Sequence, residues 1–206
     1  MRILAVSAGF LALTLPAQAA PTLEGVASGL YELEKTHAFL TWSVKHNGIS
    51  DYVVNFTEFD ADLVFDAETP ANSQLSVTIN PTALNTNYPD AAKKVEWEAE
   101  LGTDARFMNA NEFPTITFTS TAVEQTGEFE GTVTGDVTFL GVTKPVTLDV
   151  SYGGVANPPW FGQRDVIGFT ASTTLNRSDF GQTSLSGVIS DEVTIEFSGE
   201  FLQAEE

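Results

Sequence analysis

Residues 114–123 read PTITFTSTAV, with Thr115, Thr117, Thr119 and Thr121 at odd positions and Ile116, Phe118, Ser120 and Ala122 at even ones. Successive side chains of a strand point to opposite faces, so this segment has one wet face and one dry face. The same alternation appears in eight runs along the chain, each bounded by Gly, Pro, Asn or Asp. In the first, Ala38, Leu40, Trp42, Val44 and His46 share a face, with His37, Phe39, Thr41, Ser43 and Lys45 opposite. In the second, Val54 and Phe56 give way to Phe59, Ala61, Leu63 and Phe65, a change of parity that predicts a β-bulge. The third carries Leu75, Val77 and Ile79.

One helix interrupts the strands, from about Pro89 to Leu101, with Asn87 or Asp90 as cap, a largely solvated face and Gly102 as its stop. A connector with Phe107, Met108 and Phe113 follows, then the opening segment and four more runs. These carry Val133, Gly135, Val137 and Phe139; then Val146, Leu148, Val150 and Tyr152. The last two carry Ile167, Phe169, Ala171, Thr173 and Leu175, then Val193, Ile195, Phe197, Gly199 and Phe201. Leu140 breaks the pattern as an apolar residue on a polar face.

Eight half-apolar strands with one short helix predict a single all-β domain. An open sheet would expose its dry face and both edges, which leaves a sandwich or a closed barrel. Small inward residues such as Ala38, Ala61, Gly135, Ala171 and Gly199 fit either a ligand cavity or the taper of a filled core.

The chain opens MRILAVSAGFLALTLPAQAA: one positive charge at Arg2, an apolar run over residues 3–15, Pro16, then Ala17-Gln18-Ala19. This reads as a secretory signal peptide over residues 1–19, cleaved to leave one domain over residues 20–206 in the bacterial periplasm. The apolar run falls short of the ~20 residues of a membrane span. With no cysteine, neither disulfides nor a lipidated cysteine is expected. Nine Lys and Arg stand against 28 Asp and Glu, a net charge of −19, which repels phosphate backbones and argues against nucleic-acid binding.

The residues also resemble a known family. The carrying stretches are YELEKTHAFLTWSVKHNGIS (Tyr31, His37, His46), NFTEFDADLVFD, RFMNANEFPTITFTSTAV, GTVTGDVTFLGVTKPVTLDV, GFTASTTLNRSDFG and SDEVTIEFSGEF. The most specific are Gly131 to Leu148 and the NRSDFG run from Asn176 to Gly181. Over residues 30–202 the chain resembles the YceI-like family of lipocalin-like, polyisoprenoid-binding periplasmic proteins. The resemblance implies an eight-stranded antiparallel barrel with one short helix between strands 3 and 4. It also implies an elongated apolar cavity for a long isoprenoid tail, such as that of a quinone or polyprenyl phosphate. Residues 100–104 (ELGTD) depart from the family's His-Leu-Arg motif, and Ala38, Asn55 and Ala61 depart from its usual serine and glycines.

On that reading the first two strands line the cavity with Leu40, Trp42, Val44 and Phe56, then Phe59, Leu63 and Phe65. Ile79 and the connector residues Phe107, Met108 and Phe113 add to them. Later strands add Ile116, Phe118, Val137, Phe139, Leu148, Phe169 and Phe197. Plain core packing accounts for any one of these equally well. His46 at the rim and Arg177 in the NRSDFG turn are head-group candidates, against a structural histidine and a salt bridge to Asp179 or another carboxylate.

No cofactor or catalytic group is required, and the bound lipid is the expected partner, with a homodimer left open. The runner-up is a periplasmic interaction scaffold with a filled barrel. Metal binding is disfavoured because His37 and His46 fall on opposite faces, and Asp60, Asp62 and Asp66 read as a solvated acidic face. The chain has no G-x-S-x-G elbow, P-loop or cysteine, and TSLSG at Thr183–Gly187 lacks the needed glycine, so no enzyme is expected.

Overall fold

The alternating runs become antiparallel strands in the computed structural model, which describes residues 23–205. The expected signal peptide lies outside those residues. The strands are β1 (Gly29–His46), β2 (Ser50–Phe56), β3 (Phe59–Phe65), β4 (Gln74–Ile79), β5 (Leu84–Asn85), β6 (Ile116–Gln125), β7 (Glu130–Phe139), β8 (Val142–Ala156), β9 (Val166–Asn176) and β10 (Ile189–Gln203). One helix, α1 (Ala91–Thr103), precedes β6.

Register reduces these strands to eight staves. β2 pairs with β1 from Leu40↔Phe56 to His46↔Ser50, and β3 pairs with the same side of β1 from Gly29↔Phe65 to Glu32↔Asp62. They are two halves of one long strand, interrupted at Thr57 and Glu58 where the parity changes. β5 is a two-residue flap that pairs with β2. The ring then runs through β4, β6, β7, β8 and β9 to β10, which closes onto β1 from Tyr31↔Gln203 to His46↔Ile189. The fold is thus a closed eight-stranded antiparallel barrel, with α1 between its third and fourth staves.

Local geometry corrects three details of the reading. In β6 the register shifts between Ser120 and Ala122, so Ala122 is exposed and Val123 turns inward in its place. Leu140 is not on a strand: with Gly141 it forms the tight β7–β8 turn at φ 50° and 74°, the pairing also seen at Asn47 and Gly48 (52° and 71°) between β1 and β2. Gly102 is not a stop but part of α1, which ends one residue later; a Cβ there would lie 2.9 Å from the Thr82 Cα. The missing side chain lets the helix press against the turn before β5. Asp90 caps α1 by accepting from the Lys93 N–H at 2.9 Å.

The end of the barrel opposite α1 is packed around Tyr31, with Leu33, Ile167 and Phe201 buried beside it. Tyr31, fully buried, donates its hydroxyl to the Ala27 carbonyl at 2.7 Å and lies 3.3 Å from Asp165 Oδ2. Asp165 also accepts from the Ala27 N–H and from Asn157 Nδ2. Burial, and then the Asp165 charge, push the Tyr152 phenol up to about 12 and raise that of Tyr31 too. A phenol whose folded pKa is raised contributes stability that is complete below its unfolded value, about 10, and is lost as pH rises through the folded value. The melting temperature is therefore expected to hold to about pH 10 and fall above it. Tyr152→Phe should recover part of that loss. Circular-dichroism melts across this range check it; an identical fall in the variant contradicts the assignment.

Candidate ligand-binding site

Side chains fill the barrel's axis only in part. Beside α1 and the β9–β10 connection the bore widens into a chamber of about 440 Å³, within the roughly 300–1,000 Å³ common for ligand pockets. Two spaces of about 140 and 150 Å³ continue toward the β6–β7 hairpin. Chamber and middle space share Leu40, Ile79, Ile116, Val137, Leu175 and Ile195. Middle and deep spaces share Leu75, Leu148, Ala171, Phe197 and Phe201. The three spaces adjoin along the barrel axis, separated only by these shared side chains. Their vacancy explains why Ile116, Val137, Phe139, Leu148 and Leu175 are only half-buried although all face inward.

Strand period sets most of the chamber wall. β1 supplies Leu40, Trp42 and Val44, with the exposed His46 ending the series at the rim, where its Nδ1 meets Asn47 Nδ2 at 3.1 Å. Phe56, Ile79, Ile116, Val137 and Phe139 continue the ring. The connector after α1 folds back on the helix, with the Met108 N–H donating to the Leu101 carbonyl at 3.1 Å, and this places Phe107 and Met108 over the chamber. Phe59 and Phe118 line the middle space with Leu148 and Phe197, and Leu63, Phe65 and Phe169 line the deep one. Phe113 lines none of the three. Its ring packs against the β7–β8 turn, 2.6 Å from where a Cβ on Gly141 would lie, because the connector turns outward before β6.

A family profile described as the YceI-like domain matches residues 31–201 of this sequence. The chain belongs to the YceI-like family. Protein YceI of Shigella flexneri is 37% identical over 175 residues, which cover 84% of this chain and 86% of that protein. Among solved structures, BcnA of Burkholderia cenocepacia superposes with a TM-score of 0.69 at 20% identity, covering 84% of this chain and 99% of that one. A polyisoprenoid binding domain from Saccharophagus degradans, implicated in plant cell wall breakdown, gives 0.58 at 14% identity over 85% and 98%. At those identities the two structures bear on the fold.

This YceI-like barrel places its polar wall groups mainly around the chamber. Arg177 is 5% exposed and, among the described residues, forms no ion pair. Its Nε donates to the Ser190 carbonyl at 2.8 Å and its Nη1 to the Ser184 carbonyl at 2.6 Å and to Gln182. The salt bridge to Asp179 is therefore absent: the 3₁₀ turn Arg177–Phe180 holds the guanidinium among loop carbonyls. Gln182 Nε2 in turn donates to the Arg106 carbonyl, tying this loop to the connector after α1 across the chamber. His37 lies away from the chamber, its Nδ1 against Glu34 and 3.8 Å from Glu200. Asp60 pairs with Lys35 at 2.5 Å, and the Asp66 carboxyl, bonded first by Asn72 and then by the Thr69 N–H, is held below the usual carboxylate range.

The YceI-like wall also contains residues that sequence reasoning passed over. Tyr52 is in phase with Val54 and Phe56, one alternation before them, so its signal is present in the sequence. Trp97 and Leu101 are four apart on α1 and share its inner face; the acidic and basic residues around them masked this. Phe180, Leu185 and Val188 lie in the β9–β10 connection, where no period exists to reveal them.

Proposed function

We propose that this protein binds a long-chain lipid, an isoprenoid quinone or polyprenyl chain, with the tail in the bore and the head in the chamber beside α1. The row of adjoining apolar spaces along the barrel axis carries this reading. A filled scaffold needs no such space. Each isoprene unit has five carbons, and burial contributes about 0.8 kcal/mol per methylene, so tail length alone supplies several kcal/mol against the cost of ordering the chain. Binding of this kind uses the protein as a container and asks no catalytic step of it. The polyisoprenoid ligand of the Saccharophagus degradans domain, a protein of the same fold, supports the ligand class. The signal-like residues 1–19 support a periplasmic setting, in which the barrel carries, stores or protects a lipid that water excludes.

Gentle purification from a bacterial host, organic extraction and mass spectrometry test the reading. One isoprenoid or comparable chain per protein is the expected result. Recovery of empty protein that also fails to take up added quinone contradicts it.

A further inference from the structure

Below the rim, the polar groups left open on the chamber wall are hydrogen-bond donors. Trp42 lines the chamber, and its Nε1 is buried without a hydrogen-bond partner among the described residues. An indole nitrogen can only donate, and an unmet buried donor is unfavourable, so the site is complete only when an acceptor faces it. Tyr52 stands beside it, the two ring centroids 6.4 Å apart. The Tyr52 hydroxyl oxygen accepts from Trp97 Nε1 at 2.7 Å, which leaves its own proton to donate. Nearer the rim, the bonds of Arg177 use Nε and Nη1, leaving Nη2 outside the set; its charge is partly offset by Asp191, whose carboxyl is held below the usual range first by Ser178 and in part by Arg177. The acid on the same wall, Asp51, is bound by Lys45 at 2.8 Å.

Register fixes the depth of these groups. Ile189, Val193 and Ile195 of β10 lie opposite His46, Val44 and Trp42 of β1, so Trp42 sits below the rim, one inward-facing pair above Leu40 and Phe197 where the middle space begins. Donors thus occupy the upper bore, and the middle space directly below is walled mainly by apolar side chains such as Leu40, Phe59, Val77 and Phe197.

We propose that the chamber selects a lipid whose head presents oxygen acceptors, a carbonyl or phosphoryl group, against one that presents an amine, with Trp42 and Tyr52 as the donors that read it. This rests on the lipid-binding reading above. An acceptor head satisfies Trp42 Nε1, and the Arg177 charge repels a cationic head while favouring oxygen. A plain hydrocarbon fills the bore but leaves the donors unmet.

The test uses protein refolded free of lipid and calorimetric titration with three probes of similar chain: geranylgeranylacetone, geranylgeranylamine and the hydrocarbon phytane. The ketone is expected to bind at least about tenfold more tightly than the amine. Trp42→Phe should weaken the ketone about fivefold and leave phytane unchanged. Because no described residue accepts from Trp42 Nε1, the empty variant should melt at or above the parent temperature, which a merely structural role would not give. Tyr52→Phe should weaken the ketone similarly, with thermal melts reporting the separate loss of the Trp97 bond. Equal affinities for ketone and amine, or equal weakening of ketone and phytane by Trp42→Phe, overturn this inference alone. Failure of all three probes to bind overturns the lipid-binding reading with it.

Discussion

Phe118→Asp is expected to destabilise the barrel by about 4 kcal/mol or more, whereas Thr119→Asp, one residue along, changes stability by less than about 0.5 kcal/mol. Phe118 is 7% exposed and opposes Val77 of β4 and Val137 of β7. Its ring also covers Gly135, where a Cβ would lie 2.5 Å from the Phe118 Cζ, so the aromatic ring takes the space that glycine leaves. Aspartate there removes the ring's packing and sets a carboxylate among apolar neighbours. Thr119 belongs to the outer face and is exposed, so a carboxylate there stays in water and adds only a screened repulsion with Asp136 opposite it on β7. Urea titrations of the two variants measure the difference. Similar midpoints would contradict the orientation of β6, and with it the assignment of inner and outer faces around the ring.

Ala171→Trp is expected to leave the barrel folded but weaken a long-chain ligand by about a hundredfold or more. Ala171 lies opposite Val150 of β8 and Phe197 of β10, where the middle and deep spaces share their walls. An indole there enters open space, so overpacking should cost no more than about 1–3 kcal/mol. The same indole stops a tail from passing into the deep bore. Two isoprene units excluded from apolar surroundings already forfeit more than the roughly 2.7 kcal/mol that a hundredfold represents. A ketone of one or two units, which fits the chamber alone, should keep its affinity. Titration with short and long ketones separates the cases, and undiminished binding of the long one contradicts passage of the tail beyond the chamber.

The barrel was legible in the sequence because its wall repeats every second residue. Val54, Phe56, Ala61, Leu63 and Phe65 fall inside where alternation puts them, even across the break at Thr57 and Glu58. Asn47 and Gly48 bound the first run and form its tight turn, as the Gly and Asn boundaries of the runs lead one to expect. Alternation fails where the backbone gains a residue: the bulge at Ser120–Ala122 carries no sequence signature that separates Ala122 from a wall residue. Gly102 misled because a glycine near a helix end reads as a terminator, and its contact with Thr82 is tertiary. The site was less legible than the fold. Strand residues such as Leu40 and Val137 were placed by period, but Trp97 and Phe180 reach the chamber through the packing of α1 and of a loop, which no local pattern encodes. Arg177 was noticed for its charge, yet its bonds to loop carbonyls depend on where residues 182–190 return.

The central claim is that a hydrocarbon tail lies along the barrel axis, and the position of its far end tests this most directly. A crystal of the protein bound to a long-chain ketone brominated at the terminal carbon, recorded at the bromine absorption edge, locates that end by anomalous scattering. The account predicts a single bromine peak inside the barrel beside Leu148, Ala171 and Phe201, with the carbonyl near Trp42. A bromine peak on the outer wall or at the rim near His46, with the bore still empty, would contradict it.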